Sequence, residues 1–435
     1  MTVLMLELNE VNFEHVRDYV AMGKLPHLAK LLAEHPLIET ISEQNYEDLE
    51  PWIQWVTAHT GLPLAEHGVF RLGDIVGRDL PQIWEALEAQ GLKVGAISPM
   101  NANNRCKSPE FFVPDPWTPT RVTGSLLMKK LYDAVAQAVN DNARSRVTAR
   151  SALWLLVGLG AYARPRNYPT YLSLAASAVR RRRWAKALLL DQLLADIFVR
   201  EVKRTQPDFA SLFLNAAAHI QHHYMFNAKV YAGPHANPEW YVDADVDPVL
   251  EVYEQYDRIV GQVRATFPTA RLMLATGLHQ DPHPDLTFYW RLRKHEAFLA
   301  KAEVPFDRVE PRMSRDFVVF CADAAQAATA ERRLGQICAS DATPLFEVDN
   351  RGDSLFVMLT WPHDISAAFE YRIGNRTLNG LRDEVAFVAV KNGGHNGVGY
   401  LIDTTAPQAE DAAVIPLSAL PRRVARACGV TWAAV

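Results

Sequence analysis

The stretch TVLMLELNE, residues 2–10, decides how this chain folds. A mostly apolar run ends abruptly in the polar pair Asn9 and Glu10, and apolar side chains then recur at helical spacing, beginning with Phe13 and Val16. A continuous apolar run of this length is typical of a strand that is buried on both faces of a sheet. The pattern therefore predicts a buried strand, a polar loop and a helix.

The same unit recurs along the chain, in LPQIWEALEAQGLKVGAIS (80–98), PDFASLFLNAAAH (207–219) and TARLMLATGLHQ (269–280). Strands that alternate with helices predict an α/β fold with a mostly parallel sheet and helices on both faces. In such sheets a ligand binds at the carboxyl ends of the strands. The polar residues at or just beyond those ends are Asn9, Asn215, His219, His222 and His279.

Two segments interrupt this alternation. Residues 122–204 are rich in Ala, Leu, Arg and Val with helical periodicity, which predicts a helical insertion or cap outside the sheet. Residues 287–361 show the order strand, helix, strand, strand, which predicts a small α+β subdomain. Residues 1–121, 205–286 and 362–435 are then expected to form the α/β core.

Composition excludes several classes of function. The net charge of −5 and the 49% hydrophobic content fit a globular protein and argue against general nucleic-acid recognition. The first residues lack the pattern of a signal peptide, the apolar run 152–163 is too short to span a bilayer, and the four cysteines lack metal-binding spacing, so we expect a cytoplasmic protein. One local concentration of charge, Arg180 to Arg183, is either a solvated helix face or a contact for an anionic partner such as phosphate or lipid.

Five motifs resemble the alkaline phosphatase superfamily, in particular its type I phosphodiesterase and nucleotide pyrophosphatase branch. In chain order they are GKLPHLAKLL (23–32), TGLPLAEHGV (60–69), IWEALEAQGLKVGAIS (83–98), HIQHHYM (219–225) and GGHNGVGYLI (393–402). The resemblance covers most of the core and neither inserted segment. It implies an alkaline phosphatase-like fold and a phosphoryl group clamped by two metal ions while a Thr or Ser attacks it.

Residue by residue, the resemblance shows a degenerate site. Asn9 replaces the first Asp ligand, Glu10 replaces the following Gly, and Ala218 replaces another Asp. The nucleophile position, anchored on the Pro after it, falls on Leu49. Because two-metal centres need carboxylates near the ions, the losses predict either one zinc ion held by histidines or no metal.

The resemblance retains His222 and His395 from one former metal site, and we expect these two to share a metal ion or a pocket. The alternative is that they are core histidines bonded to the backbone. Candidate catalytic residues are Glu50, Asn9, Glu10 and His219. Candidate substrate-binding residues are Trp52, Gln54, Asn215, His279 and Asn396. Helix capping by Asn9 and Glu10, and core packing of Trp52, are the competing interpretations.

Three functions remain open at this stage. The first is a phosphodiesterase- or pyrophosphatase-like enzyme that cleaves or transfers a phosphate ester, with Glu50, Glu10 or a histidine as acid or base. The second is a metal-independent transferase that uses a nucleotide- or phosphate-activated sugar donor. The third is an inactive ligand-binding protein. We expect Glu50 to be the strand-end polar group nearest Asn9, and we do not expect Thr57 or Thr60 to be a nucleophile.

Overall fold

The computed structural model of the chain describes residues 2–140, 147–180, 182–312, 314–404 and 414–432. The strands in these ranges are β1 (Val3–Leu8), β2 (Leu37–Ile41), β3 (Val94–Ile97), β4 (Phe111–Val113), β5 (Phe209–Leu214), β6 (Arg271–Ala275), β7 (His279–Leu292), β8 (Arg308–Pro311), β9 (Asp316–Phe320), β10 (Ile337–Ala339), β11 (Phe346–Asn350), β12 (Ser354–Leu359), β13 (Tyr371–Ile373), β14 (Arg376–Leu378), β15 (Val385–Asn396), β16 (Val398–Asp403) and β17 (Val414–Pro416).

The helices in the same ranges are α1 (Phe13–Ala21), α2 (Pro26–Glu34), α3 (Pro51–Thr60), α4 (Leu64–His67), α5 (Ile83–Glu88), α6 (Leu126–Asn140), α7 (Ala149–Tyr162), α8 (Tyr168–Val179), α9 (Ala185–Thr205), α10 (Ala216–Tyr224), α11 (Pro248–Thr266), α12 (His295–Lys301), α13 (Ala324–Leu334), α14 (Leu381–Glu384) and α15 (Leu420–Ala427). None of them, within the described ranges, combines the length and the apolarity needed to cross a membrane. The expected cytoplasmic location stays a prediction.

The chain divides into two compact units. The first comprises Met1–Gly233, Pro238–Pro282 and Gly393–Val435, and the second comprises Pro234–Asn237 and His283–Asn392. The division into core, insertion and subdomain that the sequence suggests stays a prediction, and the observed second unit continues past residue 361 to Asn392.

An eight-stranded sheet forms the centre of the first unit, in the order β17-β2-β16-β6-β1-β5-β3-β4. The neighbours β6-β1, β1-β5, β5-β3, β3-β4 and β2-β17 are parallel, while β16 runs antiparallel to both β2 and β6. The predicted mostly parallel sheet is therefore confirmed. β1 lies between β5 and β6, so the loops that leave these three strands meet at one edge of the sheet.

Both faces of this sheet are covered, which explains the apolar run in β1. Its residues alternate between two hydrophobic clusters: Leu4, Leu6 and Leu8 pack with one, and Val3 and Met5 pack with the other. Helices α1, α2, α9, α10 and α11 contribute to the first cluster, and α3, α5 and α15 contribute to the second. Each fully buried Leu stabilises the fold by roughly 1.5–3 kcal/mol.

The segment 122–204 contains the helices α6 to α9, and no strand occurs among its described residues. α9 packs against β3 and β5, and its buried Leu188 and Leu193 belong to the first hydrophobic cluster. α6 packs on α7, and α8 packs on α9. The last helix of the segment is thus part of the layer that covers the sheet.

The second unit is built from short antiparallel sheets. One has the order β11-β12-β9-β8 and another has the order β10-β13-β14. α13 packs against β11 and β12. The strand, helix, strand, strand order expected from the sequence corresponds to β9, α13, β11 and β12.

Candidate metal centre

Three elements of the first unit bring the candidate site together. Glu10 lies in the turn that follows β1, His222 lies in the last turn of α10, which follows β5, and His395 is close to the end of β15. The parallel register pairs Leu8 with Leu214, so β1 and β5 end at the same level of the sheet. The side chains of Glu10, His222 and His395 converge there, and we refer to these three residues as the triad.

The ligand atoms of the triad form a nearly equilateral triangle. His222 Nε2 and His395 Nε2 lie 3.2 Å apart, although the residues are 173 positions apart in the chain. Glu10 Oε2 lies 3.3 Å from His222 Nε2 and 3.2 Å from His395 Nε2. Three atoms that carry lone pairs repel one another at these distances unless a proton or a cation lies among them.

A tetrahedral zinc ion fits this triangle. Ligand atoms about 2.0–2.1 Å from such an ion are separated by about 3.3 Å, which matches all three edges of the triad. His222 Nδ1 lies 3.4 Å from the carbonyl oxygen of Gly393, a group that only accepts, so this contact favours a proton on Nδ1 and leaves Nε2 free to bind a metal. One carboxylate and two imidazoles would hold the ion, with a fourth position open.

The backbone at Glu10 is in the left-handed region, with φ 61°. This region is costly for a residue with a side chain, and the motif that the sequence resembles has Gly at the equivalent position. The carbonyl oxygens of Thr276 and Leu214 accept hydrogen bonds from the backbone amides of Glu10 and Asn9, both at 3.1 Å, and hold this conformation. Strain retained at a buried carboxylate points to a functional role for that carboxylate.

Electrostatics keeps Glu10 ionised. Burial raises the pKa of the Glu10 carboxyl, but the opposing charges and hydrogen bonds of His395 and His222 outweigh burial and hold this pKa well below its usual range. The side chain is therefore a carboxylate over the whole physiological pH range. A negative oxygen between two imidazoles is suited to bind a divalent cation.

Amide side chains orient the Glu10 carboxylate. Asn9 Nδ2 donates to Glu10 Oε1 at 2.9 Å, and Gln280 Nε2 donates to Glu10 Oε2 at 2.5 Å. Gln221 Nε2 donates to the carbonyl oxygen of Glu10 at 2.7 Å. A Cβ atom at Gly393 would lie 2.0 Å from Gln280 Oε1, so glycine is required there for Gln280 to keep its position.

Asn9 itself is held by two further contacts. Its Oδ1 accepts a hydrogen bond from Trp55 Nε1 at 2.6 Å, and its Nδ2 also donates to Asn215 Oδ1 at 2.8 Å. Asn9 is buried, and Asn215 is half-buried. The predicted pair Asn9 and Asn215 is thus brought together beside the triad, where both orient neighbouring side chains.

Glu50 lies beside His395. Its Oε2 is 3.9 Å from His395 Nδ1, and its side chain is 37% exposed. The expectation that Glu50 would be the polar group nearest Asn9 is wrong, because Glu50 precedes α3 while Asn9 is surrounded by Glu10, Trp55 and Asn215. A carboxylate that hydrogen-bonds to the far nitrogen of a metal-binding histidine orients the ring and makes it a better ligand, and Glu50 at 3.9 Å is close to such a position.

His279 and Asn396 meet through Asp281. His279 Nε2 lies 3.1 Å from Asp281 Oδ1, and Asn396 Nδ2 donates to Asp281 Oδ2 at 2.7 Å. His279 Nδ1 donates to the carbonyl oxygen of Val398 at 2.5 Å. The hydrogen bond from His279 holds the pKa of Asp281 below its usual range. Because both ring nitrogens of His279 are used, this histidine is not available as a metal ligand.

Three other predicted site residues contact groups outside the triad. Trp52 Nε1 donates to the carbonyl oxygen of Phe70 at 3.1 Å, and Gln54, which is buried, donates to the carbonyl oxygen of Asp48 at 2.8 Å. His219 is exposed on α10, with its ring 4.8 Å from that of His223. The contacts of Trp52 and Gln54 stabilise local loops around α3.

Neither threonine near the motif offers a free hydroxyl. Thr57 Oγ1 lies 3.2 Å from His67 Nε2 inside the buried face of α3, and Thr60 Oγ1 donates to the carbonyl oxygen of Val56 at 2.7 Å. Leu49, at the position of the motif's nucleophile, is buried and apolar.

Sequence reasoning missed the amides of Gln221 and Gln280 and the carboxylate of Asp281. Gln221 lies inside the motif HIQHHYM, and Gln280 and Asp281 directly follow a strand-end histidine, so their positions were the only available signal.

The sequence also suggested an anionic partner for the basic run Arg180 to Arg183. Within this run, Arg181 lies outside the described residues. Arg182 donates to Glu251 Oε1 at 2.8 Å, while Arg180 and Arg183 are exposed.

No family model and no curated protein sequence matches this chain. Murine ectonucleotide pyrophosphatase/phosphodiesterase 5 is similar in structure, with a TM-score of 0.46 and 10% identity over 99% of this chain and 96% of that one. Phosphonoacetate hydrolase from Sinorhizobium meliloti 1021, in complex with phosphonoacetate, has a TM-score of 0.43 and 13% identity over 98% of this chain and 96% of that one.

Alkaline phosphatase from the Antarctic bacterium TAB5 is also similar, with a TM-score of 0.39 and 9% identity over 99% of this chain and 98% of that one. These proteins are members of the alkaline phosphatase superfamily, which is the superfamily that the sequence motifs resemble. The identities are only 9–13%, and they indicate nothing about the chemistry of the triad.

Proposed function

We propose that this protein is an enzyme that cleaves or transfers a phosphate ester with a single metal ion, bound by Glu10, His222 and His395. The observation that carries the proposal is the triangle of Oε2 and two Nε2 atoms, with edges of 3.2–3.3 Å, at the carboxyl ends of parallel strands. The donor set and the open fourth position favour zinc.

The residues of the chain have separate roles in this proposal. Glu10 would neutralise part of the cation's charge, and the two histidines would supply its other protein ligands. Gln280 and Asn9 fix the carboxylate, and Glu50 positions the ring of His395. When bound, zinc supplies a Lewis acid that polarises a phosphoryl oxygen and stabilises the negative charge that develops on it.

The attacking group is not a side chain in this proposal, because the hydroxyls of Thr57 and Thr60 are engaged inside and at the end of α3. Glu50 is partly exposed beside the triad and can accept the proton of a water molecule or of an acceptor hydroxyl. Attack by water would make the enzyme a hydrolase, and attack by an acceptor hydroxyl would make it a transferase.

The substrate class is a small molecule with a phosphate mono- or diester. A nucleotide-sugar donor is the narrower alternative, and it belongs to the transferase form of the proposal. A metal-independent transferase would leave unexplained why two imidazoles and a carboxylate converge within 3.3 Å.

The test compares hydrolysis of p-nitrophenyl phosphate and bis(p-nitrophenyl) phosphate by the full chain, with zinc and with a chelator. We expect zinc-dependent release of p-nitrophenol that falls by at least about 100-fold in His222→Ala. His219→Ala is the matched control, since His219 lies on the same helix and faces solvent. Thr57→Ala should retain most of the activity.

Three outcomes would contradict the proposal. Activity that is unchanged by chelator and by His222→Ala would exclude the triad from catalysis. Loss of activity in Thr57→Ala, with a trapped phosphothreonine, would establish a protein nucleophile. Zinc binding without turnover of any phosphate ester would favour the inactive binding protein.

A further inference from the structure

Two consecutive helices of the first unit expose apolar stripes. On α7 the residues Leu153, Leu156 and Val157 are 57%, 68% and 41% exposed, at the i, i+3, i+4 spacing of one helix face. On α8, Leu172 and Val179 are 72% and 84% exposed. Scattered exposed apolar residues are normal, but aliphatic stripes on two consecutive helices of the chain indicate an interaction surface.

The opposite faces of these helices are firmly packed. Gly158 and Tyr162 of α7 are buried, and a Cβ atom at Gly158 would lie 2.6 Å from the side chain of Leu131 in α6. Tyr171 and Leu174 of α8 are buried in the main hydrophobic cluster. Both helices are therefore anchored in the orientation that turns their aliphatic stripes to solvent.

The chain segment that carries the stripes contains charges of one sign only. Between Val147 and Leu190 the sequence contains eight Lys and Arg residues and no Asp or Glu, in a chain whose net charge is −5. Among the described residues of this segment the exposed basic side chains lie at the ends of the two helices and just beyond α8: Arg150, Arg166, Arg180, Arg183 and Lys186. Arg182, in contrast, is paired with Glu251.

We propose that this docking face, formed by the exposed stripes of α7 and α8 and by the five exposed basic residues around them, binds the surface of a membrane that contains anionic lipids. Aliphatic side chains inserted at the level of the headgroups, with basic residues beside anionic lipids, are the combination that interfacial helices use. Tyr168, 49% exposed at the start of α8, is an amphipathic ring of the kind found at membrane interfaces.

The alternatives fit less well. A second copy of this chain would bring two strongly basic faces together, which like-charge repulsion disfavours. A nucleic acid would satisfy the arginines but not the aliphatic stripes. The helices lie on the membrane and do not cross it, because α7 is only 14 residues long and α8 only 12, about 21 Å and 18 Å against a hydrocarbon core of about 30 Å.

Co-sedimentation of the full chain with vesicles tests this proposal, which does not depend on the activity proposed above. Vesicles of phosphatidylcholine mixed with phosphatidylglycerol should bind the protein, and vesicles of phosphatidylcholine alone should bind it far more weakly. Each basic residue near the surface strengthens binding about fivefold, so Arg180→Gln with Arg183→Gln should weaken binding by about 30-fold. Binding should also fall with added salt.

The aliphatic contribution is tested with Leu156→Ser and Leu172→Ser, which replace exposed side chains and should leave the circular dichroism spectrum unchanged. Each should weaken vesicle binding at least about tenfold. Phe70→Ser and Lys24→Gln are matched controls, because both residues are exposed outside the docking face.

The proposal is overturned if the protein does not bind the vesicles that contain phosphatidylglycerol, or if it binds vesicles with and without phosphatidylglycerol equally. It is also overturned if light scattering shows a dimer that Leu156→Ser dissociates, since a second copy would then cover the stripes. Binding to a soluble polyanion but not to anionic vesicles would contradict it as well.

Discussion

Glu10→Gln is the substitution that separates a metal ligand from a structural carboxylate. Glutamine keeps the length of the side chain and the backbone φ of 61°, and its oxygen can still accept the hydrogen bond from Asn9. It loses the negative charge, and an amide replaces one carboxylate oxygen. Because changes to groups that merely orient a ligand already cost about 10–100-fold in metal affinity, we expect loss of a ligand to cost at least about 100-fold.

The effect can be expressed as stability. A zinc concentration about 1,000 times the dissociation constant stabilises the wild-type fold by about 4.1 kcal/mol. The same concentration is at most about ten times the dissociation constant of Glu10→Gln, which corresponds to about 1.4 kcal/mol. The variant should therefore lose about 2.7 kcal/mol of the stabilisation that zinc confers.

The assay is chemical unfolding of both proteins in zinc and in chelator, with Glu14→Gln as a control that makes the same change on the exposed side of α1. In chelator, the zinc-dependent difference should vanish. If zinc stabilises Glu10→Gln as much as it stabilises the wild type, Glu10 is not a ligand and the triad is not a metal centre.

Glu50→Gln should weaken zinc binding by about 10–100-fold in a competition titration with a chromophoric chelator, because His395 loses its carboxylate partner; unchanged affinity would exclude that role. Glu7→Gln should lower the free energy of unfolding by about 1–3 kcal/mol in zinc and chelator alike, because it changes one partner of the fully buried contact between Glu7 Oε1 and His59 Nε2, 3.4 Å apart; a loss confined to zinc would contradict this. Burial raises the pKa of Asp191 to about 6, so its contribution to stability is complete below the unfolded pKa and is lost as the pH rises through 6. Between pH 4 and pH 7, urea unfolding should show that the free energy of unfolding falls by up to about 3 kcal/mol because of Asp191, and this fall should be absent in Asp191→Asn. Equal pH dependence of the free energy of unfolding in both proteins would refute the assignment.

The central sheet could be predicted because burial on both faces leaves a clear pattern. β1 and β5 are mostly apolar runs that are followed by polar residues, and this pattern indicates parallel strands between two layers of helices. The extent of the second unit could not be predicted in the same way. β13 and β14 have only three residues each, too few to show an alternation, and β13 also pairs with the distant strand β10.

The candidate site was predictable only in part. The motifs place His222 and His395 at one former metal site, and the structure brings their Nε2 atoms within 3.2 Å, while their role as ligands stays a prediction. Glu10 was expected to act as an acid or base, and the motif, which has Gly at this position, gave no signal for a metal ligand. The direction of the Glu10 side chain depends on the left-handed backbone conformation, which a sequence pattern does not reveal. Trp52 and Gln54 could not be told apart from site residues, since their loop contacts involve backbone carbonyl groups.

Zinc-edge X-ray absorption on protein purified without added metal, combined with its metal content, tests the central claim most directly. We predict one zinc ion per chain, with nitrogen and oxygen neighbours at about 2.0–2.2 Å and no sulfur. The zinc ion should be lost in His222→Ala and retained in His219→Ala. Two ions per chain, sulfur ligands, or one ion that persists in His222→Ala would contradict a single site held by Glu10, His222 and His395.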